Sequence, residues 1–151
     1  MRSVHREALV PHPAEAMYGL VNDIERYPDF LPWCREAVVL DRQEREVKAR
    51  LTLSRGGVTR SFTTRNRMEP GRLIDITLVD GPFRHLEGEW RFEPLREDAS
   101  RVSLDMHFDF SNHLISAVVG PVFHQIANSL VDAFTRRARE VHGSGRAPSG
   151  R

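Results

Sequence analysis

"RVSLDMHFDFSNHLISAVVGPVFHQIANSL", Arg101–Leu130, changes its hydrophobic period halfway along, and that change decides the fold. Over Arg101–Phe110, Val102, Leu104, Met106, Phe108 and Phe110 share one face, while Arg101, Ser103, Asp105, His107 and Asp109 share the other. A period of two is that of a half-buried strand. After Ser111-Asn112, a suitable N-cap pair, Ile115, Val119, Val122, Ile126, Leu130, Phe134 and Val141 recur at helical spacing. His124, Asn128, Asp132, Arg136 and Arg139 fall mostly elsewhere around that helix. A helix of about 30 residues reaches roughly 45 Å, enough to cross a whole sheet. Gly120-Pro121 predicts a kink or a split in its first third, because proline removes a helical hydrogen bond.

The alternation recurs upstream. In "EVKARLTLS", Val47, Ala49, Leu51 and Leu53 oppose Lys48, Arg50, Thr52 and Ser54, and Gly56-Gly57 then supplies a hairpin turn. "VTRSFTTRNRM" returns, and Glu69-Pro70-Gly71 turns into "RLIDITLV". Asp80-Gly81-Pro82 leads into "FRHLEGEWRFEPL", where Leu86, Gly88, Trp90 and Phe92 alternate with charged residues. Short turns between such strands describe an antiparallel meander with one buried face. At the N-terminus, "SVHREALV" is another strand. "AEAMYGLVNDI" carries Met17, Leu20, Val21 and Ile24 at helical spacing, with Pro13 in its first turn. That helix must stop before Pro28, which pushes Tyr27 out of the α region. It exits into "ERYPDFLPWC", Glu25–Cys34, a proline-rich connection unusually apolar for a surface loop.

The chain of 151 residues, 40% hydrophobic and 28% charged, fits one domain over 1–142, with 143–151 expected to be a disordered tail. No run of about 18 apolar residues occurs, so no transmembrane segment is expected. The single cysteine, Cys34, excludes an internal disulfide framework and suits a cytoplasmic protein. A net charge of +1 gives no global attraction to nucleic acid. Lys48 is the only lysine; the other basic side chains are arginines. No histidine or cysteine pair has metal-ligand spacing, and the glycines form no phosphate-cradling pattern. Asp105, His107 and Asp109 belong to the face opposite the apolar one, and Cys34 is expected to be an inert thiol. No catalytic residue, metal ligand or required cofactor emerges, and no polar set is apparent within the apolar stripe.

The order is strand, short helix, about six strands, long helix. A long helix and a sheet, each apolar on one side, bury those sides together, which makes this an α+β fold of a curved sheet gripping one helix. A bent sheet wrapped on a helix can enclose a cavity for an apolar small molecule. Candidate ligand-binding residues at the cavity and its mouth are Tyr27, Phe30, Leu31 and Trp33 from the proline-rich loop. The sheet contributes Phe62, Leu78, Leu86, Trp90, Leu104, Met106 and Phe108, and the helix Phe123, Ile126, Leu130 and Phe134. Gly88 is expected first to accommodate the bending of the sheet and, as a second reading, to leave room beneath the helix. Pro28 and Pro32 restrict the loop as a semi-rigid lid or a plug, and Trp33→Ala is expected to weaken ligand retention more than stability. Arg55, Arg60, Arg65 and Arg67 surround the Gly-Gly hairpin as candidate contacts to RNA or an anionic surface, with Arg60 sharing the parity of cavity-facing Phe62.

These segments also resemble a known family. The order of elements is similar to the START-like (polyketide cyclase/lipid transport, Bet v 1-like) helix-grip fold, with about seven strands and one or two short helices after the first strand. "LVNDIERYPDFLPWC", "SFTTRN", "LVDGPFRHLEGEWRFEPL" and "DFSNHLI…VFHQIANSLVDAFTRRAREV" resemble the RatA family and the related coenzyme Q-binding START-domain proteins. The resemblance runs from Ser3 to about Val141. It implies a non-catalytic protein that holds ubiquinone, an isoprenoid tail or another lipid in the cavity and serves respiration, with peripheral membrane contact. The alternative it implies is a ribosome association toxin that binds the large (50S) ribosomal subunit and blocks 70S formation. A polyketide cyclase-like enzyme is the weaker alternative. Pro121 departs from the uninterrupted final helix of that fold.

Overall fold

The computed structural model describes residues 1–143. Seven strands form one antiparallel sheet: β1 (Arg2–Val10), β2 (Cys34–Gln43), β3 (Glu46–Arg55), β4 (Val58–Glu69), β5 (Leu73–Asp80), β6 (Phe83–Arg96) and β7 (Ala99–Phe110). Their order across the sheet is β1-β7-β6-β5-β4-β3-β2, so β2 to β7 form an uninterrupted meander and β1 closes on the last strand. Helix α1 (Ala14–Asn22) follows β1, and helix α2 (His113–His142) ends the described chain. The arrangement is the helix-grip fold. The tail expected at 143–151 lies, beyond Gly143, outside the described residues.

The period of two is realised most fully in β7, where buried and half-buried residues alternate through all 12 positions. Its inward row packs under α2, which lies chiefly along β1 and β7 and touches β4. Phe108 meets Phe123 at 4.8 Å between ring centres, and Phe83 meets Phe123 at 4.9 Å. Gly81 holds φ +150° in the turn before β6, and a Cβ there would stand 2.7 Å from that of Phe62. Only glycine permits that approach.

Helix α2 starts as expected: the Asn112 side chain accepts from the Ile115 N–H at 2.9 Å. Of the kink or split expected at Gly120-Pro121, a split does not occur, and the helix is continuous through Pro121. Ala117, whose carbonyl loses its partner to proline, is exposed to solvent, while Gly120 is buried. The Arg2 guanidinium packs against Gly120, so close that a Cβ there would lie 2.9 Å from Nη2. The buried stripe runs through Val119, Phe123, Ile126, Ala127, Val131, Phe134 and Ala138, and Val141 is exposed beyond it. Asn128 and Asp132, on a second face, accept from Arg6 of β1. By length and hydropathy alone α2 could cross a membrane, yet its apolar stripe is the core that the sheet grips.

Helix α1 ends at Asn22, and Ile24–Asp29 continues as a 3-10 turn containing Pro28. Its closing bonds, Arg26 N–H to the Asp23 carbonyl and Phe30 and Leu31 N–H to that of Tyr27, do not involve the Pro28 nitrogen. Pro13 stands at the N-cap of α1 instead of within its first turn.

Candidate functional site

The sheet's concave side and α2 enclose a cavity between two aromatic groups. Phe62, Phe83, Phe108 and Phe123 pack around the first half of α2, and Tyr27, Phe30, Trp90 and Phe134 around the second. Of the residues expected there, Tyr27, Trp33, Phe62, Leu86, Trp90, Met106, Phe123, Ile126, Leu130 and Phe134 line the space. Ile24, Ala49, Leu51, Thr64, Asn66, Ile76 and Ala127 complete the wall. The void is small: about 70 Å³ is open to the centre of a water-sized sphere. A single water needs roughly 10–15 Å³ by that measure, so the space holds a few water-sized groups. No charged side chain is part of the lining.

The other expected contacts lie elsewhere. Leu104 and Phe108 are fully buried but sit under α2 itself, with Phe123 covering Phe108. Leu78 is half-buried at the end of β5, beside a register shift against Thr63 and Thr64 that leaves Val79 exposed. Leu31 is buried behind the lining, and Phe30 caps Phe134 from outside, edge-on at 5.3 Å. At Gly88 there is room for a methyl group: a Cβ there would make ordinary contacts with the Asp105 carbonyl oxygen and Met106 Cε at 3.5 Å and with Ile76 Cδ1 at 3.7 Å.

Glu25–Cys34 packs against the core through some of its side chains. Tyr27, Leu31, Trp33 and Cys34 are buried. The Tyr27 hydroxyl donates to the Val21 carbonyl, and burial drives its pKa well above the ordinary value of 10.0. The Ser54 N–H donates to the Trp33 carbonyl at 2.8 Å and fastens the loop to β3. Arg137 of α2 covers Phe30 at 4.9 Å and pairs with Glu140 at 3.5 Å. Trp33, only 6% exposed, is as much core as cavity wall. Its truncation costs about 3–5 kcal/mol of stability, so a loss of ligand in Trp33→Ala has to be read beside a melting curve. Cys34 donates weakly to the Glu36 carbonyl at 3.6 Å, and burial pushes its thiol up to about 11. Such a thiol is a poor nucleophile.

The expectation of an apolar stripe without polar members is corrected on β4. Thr64 and Asn66 share the inward face with Phe62 and Met68, and both are buried in the cavity wall. The Thr64 hydroxyl donates to the Asn66 carboxamide oxygen at 3.0 Å. The signal was their parity within "FTTRNRM", masked by the polar residues between them.

The four arginines do not form one cluster. Arg55 is at the hairpin, and Arg60 pairs with inward-facing Leu53 but is exposed, donating to the Thr59 carbonyl at 3.0 Å. It lies outside the cavity lining. Arg65 and Arg67 are on the convex face, where both pair with Glu46, at 3.2 and 3.3 Å. Lys48 stands directly opposite Arg65 in the β3–β4 register, and Arg50 opposite Thr63. Arg65 and Arg67 thus share the Glu46 carboxylate, while Asp41 stands opposite Lys48 and Asp75 opposite Arg67 in the sheet register. Asp105, His107 and Asp109 also face outward, where they bond with His5, Ser3 and Arg84. Among the described residues no three His, Cys, Asp or Glu side chains are grouped as a metal site.

Comparison with known proteins agrees with this fold. Residues 10–135 match the family described as polyketide cyclase / dehydrase and lipid transport. The chain is 46% identical over 140 residues, 93% of its length and 97% of the relative's, to the ribosome association toxin RatA of Pseudomonas aeruginosa. It is 28% identical over 138 residues to the mitochondrial coenzyme Q-binding protein COQ10 homolog B of Xenopus laevis, covering 89% of this chain and 57% of that one. Among solved structures it superimposes on the ZhuI aromatase/cyclase of Streptomyces with a TM-score of 0.81 at 21% identity, over 98% of both chains. The chain therefore belongs to the polyketide cyclase / dehydrase and lipid transport family and, within it, to the RatA family.

Proposed function

We propose that this protein is a non-catalytic carrier that takes an apolar small molecule into the cavity between its sheet and α2. The observation that carries this reading is a void walled chiefly by aromatic and aliphatic side chains and free of charged ones. Affinity comes from apolar burial, about 25 cal/mol per Å². The absence of a charged acid, base or nucleophile from that wall favours binding over chemistry. Ubiquinone or another isoprenoid lipid fits the reading, which the coenzyme Q-binding name of the Xenopus relative supports, and implies a role in respiration. Pockets that hold such ligands span about 300–1,000 Å³, so binding requires the proline-rich loop or Met106 to move. Leu114 and Val118, exposed on the first turns of α2, are the apolar surface through which the protein would meet a bilayer. Solvent extraction of the protein purified from its own host is expected to release a lipid. Finding none, with no uptake of added ubiquinone, contradicts the reading.

A second reading is favoured by the convex face. The relative at 46% identity is named for ribosome association, and the convex face of β3 and β4 carries Lys48, Arg50, Arg65 and Arg67, interspersed with Asp41, Glu46 and Asp75. Lys48 and Arg65 stand directly opposite each other, beside Asp41 and Glu46, and an RNA phosphate there would bridge the two cations. The partner is then the large ribosomal subunit and the location the cytoplasm. Cosedimentation with purified large subunits and fewer 70S particles on adding the protein are expected. An unchanged gradient profile counts against it. The cavity and the convex face are separate surfaces, so both roles fit in one chain.

A further inference from the structure

We propose that Thr64 and Asn66 are the polar contact that selects the cavity's ligand, which is an apolar molecule carrying a neutral carbonyl acceptor. This rests on the ligand reading above and specifies it. Both side chains are at most 8% exposed, in a wall otherwise built of aromatic and aliphatic groups. A buried polar group without partners costs about 1–3 kcal/mol, so such a pair calls for a reason. Joining parts of the fold is not that reason, because their mutual bond links two residues of the same strand.

The bond determines what remains. Thr64 spends its only proton on the Asn66 oxygen at 3.0 Å, which leaves the two N–H donors of the carboxamide. Tyr27 already donates to the Val21 carbonyl, so its hydroxyl proton is committed. A ketone, ester or quinone oxygen accepts from the Asn66 amide without bringing charge into the wall. A carboxylate or phosphate would arrive as a buried anion with no cation in the lining, and a pure hydrocarbon would leave the donors unmet.

The test uses three probes of one chain length: methyl heptyl ketone, nonane and nonanoic acid. Binding is read from the fluorescence of Trp33 and Trp90, the protein's two tryptophans, both in the cavity wall. The ketone is expected to bind about tenfold tighter than the other two, and Asn66→Leu is expected to abolish that preference while retaining nonane. Thr64→Val, nearly isosteric, is expected to weaken the preference, and melting curves confirm that each variant is folded. Equal binding of ketone and nonane to the native protein overturns the assignment, as does a preference that survives Asn66→Leu; the pair then merely holds water. If none of the probes binds, the ligand reading falls, and this assignment with it.

Discussion

Arg137 lays its guanidinium over the Phe30 ring, 4.9 Å from Cζ to the ring centre, and so ties the proline-rich loop to the last third of α2. Phe30 in turn covers Phe134, which lines the cavity. The contact links a charge near the surface to the wall of the void. Arg137→Ala is expected to cost about 0.5–1 kcal/mol and to speed amide exchange across 24–34. If the loop is the entrance, the same variant takes up an apolar ligand faster. Unchanged exchange in that segment would show that the loop is held by its backbone bonds alone.

Gly88→Ala isolates the cavity from stability. The added methyl makes ordinary contacts with the Asp105 carbonyl oxygen, Met106 Cε and Ile76 Cδ1, at 3.5, 3.5 and 3.7 Å, so the fold should tolerate it. Melting is expected to shift by only a few degrees, on the order of 1 kcal/mol, while ligand uptake falls several-fold because Met106 loses the space it would yield. Full uptake by a folded variant would argue that the cavity does not expand past Met106.

The convex face makes an electrostatic prediction. Replacing Lys48 and Arg50 by glutamate should abolish cosedimentation with large ribosomal subunits and leave the melting temperature nearly unchanged. Single neutral replacements should lower the slope of log affinity against log salt by about one each. A slope unaffected by either residue would move the ribosomal contact away from this face.

His12 sets a pH dependence. It is buried, and burial, then the positive charges of His142 and Arg139, hold its pKa below 6.5. The folded protein therefore keeps it neutral while the unfolded chain takes up a proton, so stability is lost as pH falls from about 6.5 toward the depressed folded value. His5 runs the other way: hydrogen bonds to Asp105 and then Glu7 raise its pKa, and its contribution is lost as pH rises through that value. The comparison of interest is thus His12→Gln against native protein between about pH 7 and about pH 5. The variant should show a shallower fall in melting temperature. Parallel curves would mean that His12 protonates equally in both states.

Much of the fold was legible in the sequence because β7 and α2 carry opposite periods and meet at Ser111-Asn112. The continuity of α2 was not, since what packs against Gly120 is Arg2, more than 100 positions away in the chain. The cavity was legible at Trp90, Phe123 and Phe134, whose size and parity direct them inward. Thr64 and Asn66 escaped because polarity suggested solvent, although they share parity with Phe62 and Met68. The arginine group dissolved for the converse reason. Nearness in sequence joined Arg55 and Arg60 to Arg65 and Arg67, whereas pairing in the sheet joins Arg65 to Lys48.

The central claim is that the space between sheet and helix holds an apolar molecule. Native mass spectrometry of the protein isolated from its own host tests it most directly. A second mass peak, heavier by one small lipid and lost when the protein is denatured, is the predicted result. A single peak at the mass of the bare chain, unchanged after incubation with ubiquinone, would contradict it.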